Sequence, residues 1–196
     1  IDASLRAQHA DLIANGDLRE ALRLVEVFGF HFARLDLREH ARRHAETLAE
    51  VFAATAAEPD YLALDEDGRR AVLAREIANP RPLIPADLSP FSANTAETVA
   101  TYRTARRLLD AGHADALQTA VISGCERPSD ALALLLLMKE AQLCRPGGAD
   151  ARLRIAPLFE EEAGLRDAPD VGHDTLRHGV ERRLATLAEA LARALA

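Results

Sequence analysis

The sequence predicts a predominantly helical α/β fold with about three parallel strands. Three observations predict it. Short apolar runs at 28–38, 116–123 and 153–159 have strand character, and long segments of helical period separate them. Those separations far exceed a hairpin turn, so neighbouring strands are expected to pair in parallel.

The first 28 residues read as two helices joined at Asn15-Gly16. The stretch DLRE, Asp17 to Glu20, has capping-box spacing, and Leu18, Leu22 and Val25 then recur on one face. Alternating Phe28, Phe30 and Phe32 open the first strand, which continues through FARLDL and ends in Arg38. Ala45, Leu48, Ala49 and Phe52 mark a helix to about Ala56, and a second helix spans 68–78. Asn79-Pro80-Arg81-Pro82 cannot continue it, because proline removes a donor and restricts its predecessor. Asn94 to Glu97 again has capping-box spacing and opens a long helix to about Leu109. The second strand, 116–123, is bounded by Gly124. The helix 129–143 is apolar nearly all round, which implies burial on most faces. Arg145-Pro146-Gly147-Gly148 breaks it and reads as a flexible connection, without the glycine spacing or lysine of a phosphate-cradling loop. The third strand, 153–159, follows. Residues 164–172 are irregular, and Val180, Leu184, Leu187 and Leu191 trace a terminal amphipathic helix.

Composition narrows the function classes. At 196 residues and 48% hydrophobic, residues 1–196 support a single domain with one sizeable core and exclude a disordered chain. The longest purely apolar run, Ala131 to Met138, is too short to span a bilayer, and IDASLRAQHADL carries charge where a secretory segment is apolar. A formal net charge of -7 argues against nucleic acid and anionic membranes as partners. Cys125 and Cys144 make neither a disulfide framework nor a four-ligand zinc site, which fits a reducing, cytoplasmic setting. Cys125, just past a strand end, offers either a reactive thiol or a small space-filling side chain, the second being the commoner use.

Three residues fall at or just after predicted strand ends: Arg38, Ser123 and Glu160. In a parallel barrel that end is where side chains converge on substrate. The planar donor fork of Arg38 matches a phosphate or carboxylate, and its alternative is an ion pair with Asp36, Glu39 or a partner outside the segment. Glu160 follows Pro157-Leu158-Phe159, so its carboxylate projects from an apolar strand end and suits a hard divalent ion. Its alternative is to cap a helix or pair with an arginine. His40 and His44 lie four apart, but HARRH lacks the glutamate of HExxH, and charged neighbours suggest a solvated face.

Four segments in order carry a resemblance. Phe28-Gly29 is followed by Arg34-Leu35-Asp36-Leu37-Arg38-Glu39 and then Arg43-His44; RPLIP starts at Arg81; VISGCERPSDALALLLLMKEAQL starts at Val121; IAPLFEEEAGL starts at Ile155. Together they resemble phosphoenolpyruvate carboxylase over residues 18–172, leaving 173–196 as an unmatched terminal helix. The resemblance implies part of a (β/α)8 barrel. It also implies the joining of phosphoenolpyruvate and bicarbonate to give oxaloacetate and phosphate, through carboxyphosphate and an enolate. Arg38 matches the substrate-phosphate arginine of that family, and Glu160 its ligand for Mg2+ or Mn2+. Arg34 matches another family arginine and is expected to support the site through ion pairs.

The chain has no equivalent of the family's T-x-HPTE, GYSDS-x-KD or GRGG segments, and its only lysine is Lys139 in the KEAG-like stretch. A portion of an enzyme is therefore expected, inactive alone and prone to self-association or to contact with the missing barrel segments. The alternative is a non-catalytic binding or assembly module on the same partial barrel. Three departures from the family pattern stand near the site. Glu39 replaces glutamine and is expected to put a carboxylate beside the phosphate contact. Ser123-Gly124 replaces Ser-Met, and Glu161 replaces threonine, giving three acids in a row. Such charge weakens binding of a trianionic substrate unless the metal or further arginines offset it.

Overall fold

A computed structural model of the chain describes residues 1–29 and 33–160. Helices α1 (Asp2–Ala7), α2 (Asp11–Ala14) and α3 (Asp17–Phe28) precede strand β1 (Leu35–His40). Helices α4 (Ala41–Thr55), α5 (Glu66–Ala78) and α6 (Ala93–Asp110) lead to β2 (Leu117–Ser123), and α7 (Pro128–Glu140) connects it to β3 (Arg154–Pro157). The strands form one parallel sheet in the order β1-β2-β3, as their long connections require. No helix among the described residues is long and apolar enough to cross a membrane.

Helix α7 is the centre of the core. Ser129 and every residue from Ala131 to Lys139 are buried, in accord with the all-round apolar pattern of the sequence. It packs against α4, through the layer containing Leu48, Val51 and Phe52, and against α5, with Leu73 and Ile77. Leu132, Leu134, Leu135 and Leu136 are each fully withdrawn from water, and each such side chain contributes about 1.5–3 kcal/mol. The helix stops three residues earlier than expected. Gln142 turns to φ 61°, its N–H bonds Lys139 O, and the N–H of Leu143 bonds Met138 O, which closes a Schellman end. Leu143 is buried as the apolar residue beyond that end rather than as helix.

The loop carrying Arg81 to Pro85 is tied to α7 by a buried carboxylate. Glu140 Oε2 accepts the backbone N–H groups of Leu83 at 2.8 Å and Ile84 at 2.9 Å, and its Oε1 meets Lys139 Nζ at 2.7 Å. Lys139 also donates to the carbonyls of Glu76 and Arg81. Two prolines leave this loop few backbone donors, and α7 supplies acceptors for those that remain.

The first strand differs from expectation. Phe28 closes α3, whose helical period runs on from Leu18, Leu22 and Val25 until Gly29 turns at φ 54°. Phe30 and Phe32 lie outside the described residues, and β1 starts only at Leu35, with an irregular register between Leu35 and Asp36. Arg34 therefore stands before the strand, exposed, and makes no ion pair among the described residues. The first 28 residues form three helices instead of two. Asp17 lies inside α3, whose N-cap is Gly16, and the N-cap of α6 is Ser92, not Asn94. Ser92 Oγ accepts from Thr95 N, and Glu50 holds the Ser92 amide and hydroxyl in turn. The expected terminal helix and Glu161 lie outside the described residues.

Candidate active site

Pairing sets two faces on the sheet. The partners Leu37, Ala120 and Ile155 lie on one face, toward α4 and α7. One residue on, Arg38, Val121 and Ala156 stand in register on the other, because side chains alternate along a strand. His40 pairs with Ser123 at the C-terminal end of that same row.

Arg38, Ser123 and Glu160 meet there. Arg38 Nε donates to Ser123 Oγ at 2.7 Å, and its terminal NH2 group lies 3.3 Å from Glu160 Oε1. The ladder between β2 and β3 runs on past the strands: Leu158 N bonds Ile122 O at 2.8 Å, and Cys125 N bonds Leu158 O at 3.2 Å. That continuation carries Glu160 across from Gly124, whose N–H donates to Glu160 Oε2 at 3.0 Å. Each oxygen of the carboxylate thus has one partner, one charged and one neutral. Arg38 remains 62% exposed and Glu160 44%, so their pair is a surface interaction worth about 0–1 kcal/mol.

Glu39 points the other way. It lies on the helix-covered face, where its Oε2 is 3.4 Å from Arg43 Nε and its Oε1 accepts the His40 N–H at 2.8 Å. Contrary to expectation, Glu39 therefore does not put its carboxylate beside Arg38; the carboxylate there is that of Glu160. Alternation places neighbouring strand residues on opposite faces, and Arg43, also bonded to Glu97 and Thr98, holds Glu39 on its side.

The two histidines do not share a ligand. His40 caps α4, its Nδ1 accepting Arg42 N at 3.2 Å. His44 is fully buried, contrary to the solvated face expected of it, and its Nε2 lies 2.7 Å from Tyr102 Oη. Burial, with the nearby charges of His40 and Arg43, lowers its pKa to about 4, so the ring is neutral. The signal was available in the sequence: His44 lies four residues before Leu48, on the stripe that continues through Val51 and Phe52. Burial, then the charge of Asp130, pushes the Cys125 thiol up to about 12, which leaves it a space-filling side chain.

Glu160 has the hard oxygen donors that Mg2+ or Mn2+ takes, and it stands at an exposed edge where an ion could reach it. One carboxylate does not complete a site. Among the described residues no group of three or more histidines, cysteines, aspartates or glutamates could hold a metal ion. The donor type fits, and further ligands have to come from other segments.

A unit that gathers an arginine, a hydroxyl and a carboxylate at the C-terminal edge of its strands belongs to the parallel α/β class, in which that edge is the usual place for a ligand. The family comparison is more specific. The sequence model of phosphoenolpyruvate carboxylase matches residues 1–191. Phosphoenolpyruvate carboxylase of Roseiflexus castenholzii is 44% identical over 182 residues, covering 93% of this chain and 19% of that protein. The enzyme of Gloeobacter violaceus is 47% identical over 149 residues, covering 75% and 16%, and that of Aromatoleum aromaticum 39% over 171 residues, covering 87% and 19%. The chain belongs to the phosphoenolpyruvate carboxylase family. It spans about one fifth of the length of the curated relatives it matches.

Proposed function

We propose that this chain is a portion of a phosphoenolpyruvate carboxylase, placing Arg38 on the substrate phosphate and Glu160 on a divalent ion, and that it does not turn over alone. The observation that supports this reading most is the meeting of Arg38 from β1, Ser123 from β2 and Glu160 from the segment just past β3 at one end of a parallel sheet. The Arg38–Glu160 contact is also the ion pair that the alternative reading of each residue expects, and its exposure leaves both groups open to a ligand.

Each side chain has a distinct task. Ser123 is buried and holds Nε of Arg38, which fixes the plane of the guanidinium, while one of its two outer nitrogens meets Glu160. A guanidinium held in one plane can meet two phosphate oxygens at once. Glu160, held by the Gly124 amide, presents a carboxylate beside that phosphate position. A bound Mg2+ or Mn2+ would supply charge stabilisation where phosphoryl and enolate oxygens become more negative. Residues 18–172 carry the matched motifs, while the remaining barrel segments, or a second copy, complete the sheet.

The test is a coupled malate dehydrogenase assay on the isolated 196-residue chain with phosphoenolpyruvate, bicarbonate and Mg2+ or Mn2+. Oxaloacetate formation is expected to stay at background. Turnover that disappears in Glu160→Ala would overturn the inactivity of the isolated chain. In a complete carboxylase carrying this segment, Glu160→Gln is expected to raise the metal concentration needed for half-activity.

A further inference from the structure

The residue after Ser123 is a glycine at φ 60°, and its bare α-carbon faces the His40 ring. A Cβ built at Gly124 would fall 2.8 Å from both Cε1 and Nε2 of His40, closer than carbon approaches such atoms without displacement. The ring yields only by giving up a hydrogen bond. Its Nδ1 accepts the Arg42 N–H at the start of α4, so swinging it away from Gly124 breaks the helix cap. On its other side Gly124 donates the N–H that holds Glu160 Oε2.

We propose that His40 is a positioning residue, whose capped imidazole interlocks with the bare α-carbon of Gly124 and thereby sets the aim of the amide that holds the Glu160 carboxylate. The inference rests on the reading of Glu160 as a metal ligand and adds a residue to it. It also accounts for glycine at 124, where the pattern the chain resembles has methionine: a methionine and the His40 ring would claim one volume. The groups are arranged in series, from the α4 cap to the ring, to the Gly124 turn, to the carboxylate. Groups that orient a ligating carboxylate typically change metal affinity about 10- to 100-fold when lost.

Two substitutions separate the two tasks of His40. His40→Asn keeps a side-chain acceptor for the cap and vacates the ring volume; His40→Phe keeps the volume and loses the acceptor. In a complete carboxylase carrying this segment, Mn2+ binding is measured with the metal alone by electron paramagnetic resonance, beside thermal melting. We expect His40→Asn to weaken Mn2+ binding about tenfold with little loss of melting temperature. His40→Phe should lower the melting temperature and keep Mn2+ affinity near wild type. Gly124→Ala should weaken binding strongly alone and much less when combined with His40→Asn, since only the strain of positive φ then remains. Additive effects of those two substitutions on both Mn2+ affinity and melting temperature, or wild-type affinity in His40→Asn, would overturn the proposal. Glu160→Gln is the control for the underlying reading. If it leaves Mn2+ affinity unchanged, Glu160 is not a ligand, and the non-additivity in melting temperature still decides whether His40 and Gly124 interlock.

Discussion

Arg38 Nε and Ser123 Oγ lie 2.7 Å apart although 85 residues separate them in sequence. The contact joins β1 to the last residue of β2 on the face away from the helices, and it fixes how the guanidinium presents itself. In a complete carboxylase, Arg38→Ala is expected to raise KM for phosphoenolpyruvate by an order of magnitude or more, since a charge-assisted contact worth about 1.5–3 kcal/mol is lost. Arg38→Lys should recover only part, because an ammonium cannot bond Ser123 and two phosphate oxygens in one plane. Steady-state kinetics at saturating metal decides this; an unchanged KM in Arg38→Ala would remove the arginine from the substrate site.

Ser123→Ala tests orientation apart from charge. Its hydroxyl is buried against Arg38, and its removal frees the guanidinium to rotate without changing net charge. KM for phosphoenolpyruvate should rise several-fold, less than for Arg38→Ala, with about 1 kcal/mol or less lost in stability. Equal effects of the two substitutions would mean that Ser123 itself binds substrate.

Glu140 offers the largest expected change in stability. Its carboxylate, 2% exposed, is the shared acceptor of Leu83 N, Ile84 N and Lys139 Nζ. Glu140→Ala leaves a buried ammonium and two buried amides without that partner, so a loss of about 3–5 kcal/mol is expected. Chemical denaturation of the chain measures it. Glu140→Gln, which keeps one acceptor oxygen, should fall between the two.

His44 predicts an acid limit to stability. Its pKa is about 4 when folded and 6.5 when free, so the unfolded chain binds the proton more readily between those values. Its contribution is complete above about pH 6.5 and is lost as pH falls toward 4, amounting to roughly 3 kcal/mol at the end of that window. The groups facing it are Tyr102, which gives no positive charge, and His40 and Arg43, which oppose protonation. Denaturation midpoints taken from pH 7 to pH 4 should fall steeply in the wild-type chain and less steeply in His44→Gln. Parallel curves would place the acid sensitivity elsewhere.

Helix α3 buries none of its residues, and Leu22 and Val25, one turn apart, stand 41% and 57% exposed. Such a face favours association, either with further segments or with another copy. Light scattering of the isolated chain should show mass above the monomer, reduced in a Leu22→Glu, Val25→Glu variant. A monodisperse monomer at high concentration would rule out self-association through this helix.

The parts legible in the sequence were those where period and position agree. Three separated apolar runs required a parallel sheet, and parallel strands required Arg38, Ser123 and Glu160 to share an end, as they do. The all-apolar stretch around Leu132 to Met138 could only be a helix buried on every side. The errors came where two signals competed. Alternating phenylalanines look like a strand, yet Phe28 continues the helical stripe of Leu18, Leu22 and Val25. Asp17 and Asn94 are good capping residues one or two positions from Gly16 and Ser92, which the chain uses instead. The direction of Glu39 follows from alternation beside Arg38 and was within reach of the sequence, whereas the fit of His40 to Gly124 depends on strand register and on a turn at positive φ, which no local pattern encodes.

Because the sheet is laid down in chain order, the cluster has a direction in time as well as in space. Arg38 and Glu160 are 122 residues apart, and β3 is the strand that brings them together. A ribosome adding about 5–20 residues each second leaves the guanidinium without its carboxylate for roughly ten seconds. During that interval α4 to α7 can already bury their leucines, since none of those helices needs β3 for its packing on the others. Among the described elements, the edge that joins Arg38 to Glu160 is therefore set last, and a chain arrested before residue 154 would have its helices α4 to α7 and no finished edge.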